Sequence, residues 1–276
     1  MARLRPSATF AVVGSWQAMD EADQRLRLAL MTGGTFVRTD DLRAAEAATS
    51  HGVSVDNGQL NLPLAFVVSD RAKSWRFDGE QAVPHKPLGK GTTWHIGSRP
   101  KSLGATRYYS LDDGTWVPES DVTVVRLRNN WPSFASNDRH WVDVNMDEST
   151  LVLYSGQHPS FAALLLGTSK PGSVKITGET EVVAKYVTDK RLDPKSIDSN
   201  HEVYDVPWVV ELSNGLMLHA AIGRERKASS QPIARVELAP PDARFVWAWV
   251  EPVLPTGWHG VAASEHAEHR TPVLVR

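Results

Sequence analysis

The chain has no cysteine in 276 residues. That excludes disulfides, thiolate metal sites and thiol nucleophiles, and it fits oxidising and reducing compartments alike. No apolar run approaches the ~18 residues that span a bilayer. Charge of one sign is also lacking: 30 basic residues against 32 acidic ones leave a net charge of −2, so there is no electrostatic case for nucleic acid as the main partner. Phosphate-cradling glycine loops, dinucleotide fingerprints and paired-carboxylate motifs are missing, and no pattern calls for a cofactor. Met1-Ala2-Arg3-Leu4-Arg5-Pro6 leads into no apolar core, so this chain is expected to carry no signal peptide.

What is present reads as a folded, mainly β protein. Hydrophobic residues make up 41% and charged residues 22%, a globular balance. Leu26, Leu28 and Leu30 alternate with Arg25, Arg27 and Ala29, the period of a half-buried strand. Thr9 to Val13 and Leu62 to Val68 are short apolar runs bounded by turn formers. Tyr108-Tyr109-Ser110-Leu111 and Thr115-Trp116-Val117 flank Asp112-Asp113-Gly114, a hairpin whose glycine supplies the positive φ. Helices are expected only over Asp40 to Ala48 and Pro241 to Trp249, the latter with proline in its first turn.

The chain repeats itself. Gly34-Thr35-Phe36-Val37-Arg38-Thr39-Asp40-Asp41-Leu42 matches Gly114-Thr115-Trp116-Val117-Pro118-Glu119-Ser120-Asp121-Val122, with Thr9-Phe10 and Thr93-Trp94 upstream. The pair reads as two small SH3-like β-barrel units, residues 1–48 and 60–128, each too small for a large core of its own. Two ordinary hairpins with common turn chemistry are the alternative. Gly52 to Leu60 reads as a linker and Asp78 to Gly91, rich in Gly and Pro, as a loop. Arg128 to Asp138 is the main boundary; residues 139–262 form a third domain and 263–276 a polar tail. Ten tryptophans, among them Trp208, Trp247, Trp249 and Trp258, read either as core and corner packing or as a sugar-stacking surface.

The third domain opens with Trp141-Val142-Asp143-Val144-Asn145 and Leu151-Val152-Leu153-Tyr154, a hairpin with alternating apolar positions. Phe161 to Leu166 and Ile176-Thr177-Gly178-Glu179-Thr180 follow, then Val206-Pro207-Trp208-Val209-Val210 and Gly215-Leu216-Met217-Leu218-His219-Ala220-Ala221. Ala239-Pro240-Pro241-Asp242-Ala243-Arg244-Phe245 and Pro252 to His259 complete the series. From Trp141 to about Gly260 this order resembles the L,D-transpeptidase (YkuD-type) family, whose enzymes crosslink peptidoglycan through a cysteine thiolate. The resemblance implies a mostly antiparallel β-sandwich, a place in the cell envelope or periplasm, and a peptidoglycan stem peptide or an envelope protein as partner. His219 matches the family's first conserved histidine. Where the family carries Ser-His-Gly-Cys, this chain has Pro232, Ile233, Ala234 and Arg235, and it has Leu166-Gly167-Thr168 where Ser-Thr-Gly is usual.

The substitutions bear on chemistry. The family's histidine takes the thiol proton and the thiolate attacks an amide, so losing both removes base and nucleophile together. Arginine stays protonated and is no nucleophile. The resemblance therefore implies a degenerate domain with His219, Ile233, Ala234 and Arg235 in the former site, and with Arg235, His219 and Trp208 as binding candidates. Arg235 either meets a ligand carboxylate or forms an internal pair with Glu237 or Asp242. His219 is either a site residue or a hydrogen-bonded core residue. The alternative function is an enzyme of the same fold that pairs His219 with a hydroxyl such as Ser229 or Ser230. His266 and His269 have metal-like spacing around Glu268 but lie in the polar tail, so no metal is expected.

Overall fold

The computed structural model describes residues 11–31, 34–44, 50–55, 60–136, 138–169, 176–189, 205–221, 234–264 and 270–276. Thr9, Phe10, Ser229, Ser230, Ile233, His266 and His269 lie outside them. Within them the chain is mainly β, with one ten-residue α-helix.

The first sheet joins β1 (Val12–Met19), β2 (Arg25–Met31) and β3 (Phe36–Arg38) in that order. Its most buried side chains are Ala29 and Met31, on the opposite face of β2 from the three leucines. β4 (Val53–Ser54) lies within the stretch expected to be a linker. β5 (Leu64–Val67), β6 (Lys73–Asp78), β7 (Gln81–Pro87), β8 (Thr93–His95), β9 (Lys101–Leu103), β10 (Thr106–Ser110), β11 (Trp116–Pro118) and β12 (Val122–Val125) form two sheets, ordered β7-β6-β11-β10-β9 and β12-β5-β8. The loop expected over Asp78 to Gly91 is instead mostly strand β7. Its prolines Pro84 and Pro87 sit on the outermost strand of their sheet, where a missing N–H leaves no ladder bond broken. Of the helix expected over Asp40 to Ala48, the described part is a single 3₁₀ turn, Thr39–Asp41, followed by an extended Leu42, and Ala45 to Ala48 lie outside the described residues.

The repeat adopts one conformation twice. Leu30, Ala29 and Leu28 pair with Phe36, Val37 and Arg38, as Ser110, Tyr109 and Tyr108 pair with Trp116, Val117 and Pro118. Trp16 lies opposite Leu28 as Lys101 lies opposite Tyr108. Gly34 and Gly114 have φ of 76° and 77°, and their amides donate to Met31 and Leu111 carbonyls at 2.9 and 3.0 Å. A 3₁₀ turn follows each copy, Thr39–Asp41 and Glu119–Asp121.

The C-terminal half contains β13 (His140–Asn145), β14 (Thr150–Ser155), β15 (His158–Ser169), β16 (Gly178–Asp189), β17 (Val206–Leu212), β18 (Met217–Ala220), β19 (Arg235–Leu238), helix α1 (Pro240–Trp249), β20 (Gly260–Ala262) and β21 (Pro272–Val275). The pairings β14-β13-β21-β16-β17-β18-β19-β15 return to β14, so eight strands close into a barrel where a sandwich was expected. Two features close it. β15 and β16 are twelve residues long and carry bulges at Leu165/Gly167 and Val182/Ala184, so each turns a corner of the wall. β21 enters parallel to β13 and antiparallel to β16. The segment expected to be a polar tail thus ends in a buried wall strand: Val273 and Val275 are fully enclosed.

The barrel interior is lined by Val142, Val144, Leu151, Leu153, Leu218 and Val236 among others, with Ala243, Val246 and Val250 contributed by α1 and the residue after it. A second apolar layer joins the barrel to the preceding unit: Trp141, Val152 and Tyr154 pack with Leu64, Phe66 and Val125. The rings of Trp141 and Tyr154 stack at 4.5 Å, and Trp141 donates its indole N–H to the Gly156 carbonyl at 2.7 Å. This shared layer means that the two bodies stabilise each other.

Asp143 ties the boundary segment to the last strand. Arg276 reaches its two oxygens from Nε and Nη2, each at 3.1 Å, and Arg128 Nη1 lies 3.3 Å from both. Asp143 is buried, so removing it leaves two guanidinium groups without their anion. Asp143→Ala is expected to cost about 3 kcal/mol, the low end for breaking a buried pair because Arg276 keeps solvent access. Urea unfolding measures it; a loss below about 1 kcal/mol, the worth of an exposed pair, refutes this account.

Candidate functional site

β18 and β19 run side by side and parallel, with His219 opposite Glu237 and Met217 opposite Arg235. Leu218, Ala220, Val236 and Leu238 of these strands face the interior. Strand alternation then sends His219, Arg235 and Glu237 to the outer side of the wall. Across β15 the bulge brings Gly167 opposite Glu237. A Cβ at Gly167 would lie 2.9 Å from Glu237 Oε2, so the glycine leaves room for that carboxylate.

The cluster is buried. His219 is 5% exposed and Arg235 8%. Arg235 Nε lies 3.8 Å from Glu237 Oε1, the internal pair that the sequence allowed. Asp242, the other candidate partner, is engaged elsewhere. His219 Nδ1 donates to the Ala220 carbonyl at 2.9 Å, which assigns the ring proton to Nδ1. Burial holds the imidazole pKa below its usual value; Glu237 pulls it up and Arg235 pushes it down. The ring is therefore neutral near pH 7, with Nε2 a buried acceptor that meets no hydrogen-bond donor among the described residues. No Ser or Thr hydroxyl among the described residues bonds to it. Ala234 precedes Arg235 and packs into the interior.

Trp208 is not part of this cluster. It packs on the interior side, its ring 5.1 Å from that of Trp247 at 63°, with the Arg244 guanidinium 5.5 Å above it. Its backbone is left-handed, φ 56°, a strained state for a bulky residue that surrounding contacts must hold. Trp208, Trp247 and Trp249 thus serve as packing, while Trp258 is exposed. Lys185, which the sequence did not single out, fixes the end of α1. Its ammonium donates to the Trp247 and Val250 carbonyls, both at 2.8 Å, and sits 4.8 Å from the Trp247 ring. Burial lowers its pKa to about 8. Glu237 and Gly167 were legible in part: Arg235 and Glu237 are two apart on one strand, so they share a face. Lys185 carried no local signal, because its partners lie more than 60 residues away.

The start of α1 has its own charge. Asp242 is buried on the first turn and accepts the Gly52 amide at 2.7 Å, while Phe245 stacks on Phe161 at 4.4 Å. Burial raises the Asp242 pKa from 3.8 to about 6, against the Gly52 bond and His51. The folded state therefore binds more protons than the unfolded state between these values, and stability from this group is lost as pH rises from about 4 to 6. Asp242→Asn keeps an acceptor for Gly52 without the buried charge. After allowing for the lost helix-terminus attraction, it should stabilise the chain by about 2 kcal/mol at pH 7.5 and by little at pH 4. Denaturant titrations at both pH values check this; equal differences at the two would refute it.

No family model matches the chain, and no curated protein matches it. Among solved structures it is similar to a fused Zn-dependent amidase/peptidase/peptidoglycan-binding domain-containing protein from Clostridium acetobutylicum ATCC 824, at 12% identity and a TM-score of 0.33, over 51% of this chain and 56% of that one. It is similar to an L,D-transpeptidase (Yku) from Stackebrandtia nassauensis at 17% identity and 0.33, over 52% and 60%. An L,D-transpeptidase (residues 123–326) from Xylanimonas cellulosilytica DSM 15894 aligns at 14% identity and 0.29, over 53% and 65%. The likeness is distant, and the match spans less than two thirds of each of these chains.

Proposed function

We propose that this protein is a catalytically inactive, L,D-transpeptidase-like protein of the cell envelope that binds peptidoglycan stem peptides or an envelope partner. The observation that carries the reading is the residue at the nucleophile's position. Arg235 is built into the barrel wall and paired with Glu237, beside a neutral His219, in a chain with no cysteine. An acyl-enzyme has no atom there on which to form. On the same reading, residues 1–48 and 60–128 are SH3-like units, a proposal supported by the repeated strand, turn and 3₁₀ geometry. Among the described residues no helix is long and apolar enough to cross a membrane.

Two measurements test the reading. Incubation with a carbapenem, which acylates the family's cysteine, should leave the intact mass unchanged; a covalent adduct refutes inactivity. Calorimetric titration with muropeptides should show binding that Arg235→Ala weakens by about 1.5–3 kcal/mol, the worth of a hydrogen bond to a charged group. Because Arg235 is buried, that variant should also lose stability, so Arg235→Lys is the companion: it keeps the charge and loses the two-pronged geometry. Absence of muropeptide binding in the wild type removes the stem peptide as ligand and leaves an envelope protein as the partner to test.

A further inference from the structure

The two copies of the repeat differ in what covers them. In the second copy the outer edge of β11 is paired with β6, Trp116 opposite Trp75. Phe77, two residues on and on the same face, stacks on Trp116 with centroids 4.7 Å apart and planes within 15°. In the first copy Phe36 holds the position of Trp116, and among the described residues the outer edge of β3 has no partner strand. Phe36 is 51% exposed and Trp16 beside it 49%. The two rings are in contact, meeting edge to face at 5.6 Å and 89°. A Cβ at Gly14 would fall 2.7 Å from Trp16 Cζ3, so the indole lies over a glycine that leaves space for it.

We infer that the free edge of β3, with the Trp16–Phe36 pair, is a docking site for an extended polypeptide that adds a strand and lays an aromatic side chain on Phe36. The occupant's chemistry is read from β6, which fills the corresponding edge in the second copy: aromatic residues two apart on one face, Trp75 and Phe77. An edge strand with unpaired backbone groups and exposed rings is a template for such an addition. Arg38 stands where the second copy has Pro118 and is already paired with Asp40 at 3.7 Å, and the antiparallel register places Lys73 of β6 at that position, so the aromatic spacing and not charge identifies the occupant. This surface is independent of the transpeptidase-like reading, since it lies on another unit and uses none of its residues.

The probe is a synthetic peptide with the sequence of residues 73–87, the β6–β7 hairpin, titrated calorimetrically into the full chain. The expected result is saturable binding, weakened at least about tenfold by Phe36→Ala and by changing both peptide aromatics to alanine. Phe36→Leu, which keeps apolar bulk without the ring, should weaken it as well, and circular dichroism checks that both variants fold. Hydrogen exchange should slow at the amides of residues 34–38 when the peptide binds. No binding to the full chain overturns the inference. So does binding that is indifferent to Phe36, or protection that appears on β10 and β11 in place of β3.

Discussion

The barrel depends on the insertion of β21 between β13 and β16. Four residues, Pro272–Val275, convert an open sheet into a ring, and without them β13 and β16 would each present an unpaired edge. The insertion is secured at its end by charge as well as by apolar burial. Arg276 forks onto Asp143, its amide donates to the Val144 carbonyl at 2.9 Å, and its own carbonyl accepts from Met146 at 2.7 Å. Asp143 also holds Arg128, so the same carboxylate anchors the segment that leads from the second unit into the barrel. Closure, boundary and inter-unit packing are therefore coupled through one buried anion.

Closure also decides what the wall can offer a ligand. Inside, the space is taken by aliphatic side chains and by α1, whose far end is pinned by Lys185. Polar chemistry is left to the outer side of β18 and β19, where His219, Arg235 and Glu237 converge around the gap left by Gly167. In this buried patch the guanidinium and the carboxylate compensate each other's charge beside a neutral imidazole, and no thiol is present.

The repeat shows how context assigns different tasks to one local structure. Both copies place a glycine at positive φ, an aromatic residue on the next strand and a 3₁₀ turn after it. In the second copy the β6–β7 hairpin covers the edge and Lys101 sits 5.0 Å over the Phe77 ring. In the first, Trp16 takes the position of Lys101 and the aromatic pair stays open to solvent. Identical backbone geometry yields a packed sheet in one case and a presented surface in the other.

Local pattern carried much of this in advance. The Tyr108 to Val117 hairpin, the Trp141 to Tyr154 hairpin, the helix at Pro240–Trp249 and the repeat were legible because turn chemistry and two-residue alternation act over a few neighbouring residues. The missing cysteine was legible without any structure, and so was the exclusion of thiol chemistry. Other features were decided only by tertiary contacts. Pro272–Val275 is too short to declare itself a wall strand until β13 and β16 stand on either side. β7 looked like a loop because proline punctuates sequence, yet on a sheet edge it is harmless. Trp208 and His219 belonged to one motif in the chain but fall on opposite sides of the wall, since strand alternation and a left-handed residue, not sequence proximity, set the direction of a side chain. Amino-acid order determined which strands could form and which chemistry was impossible; the closing of the ring determined which side chains meet.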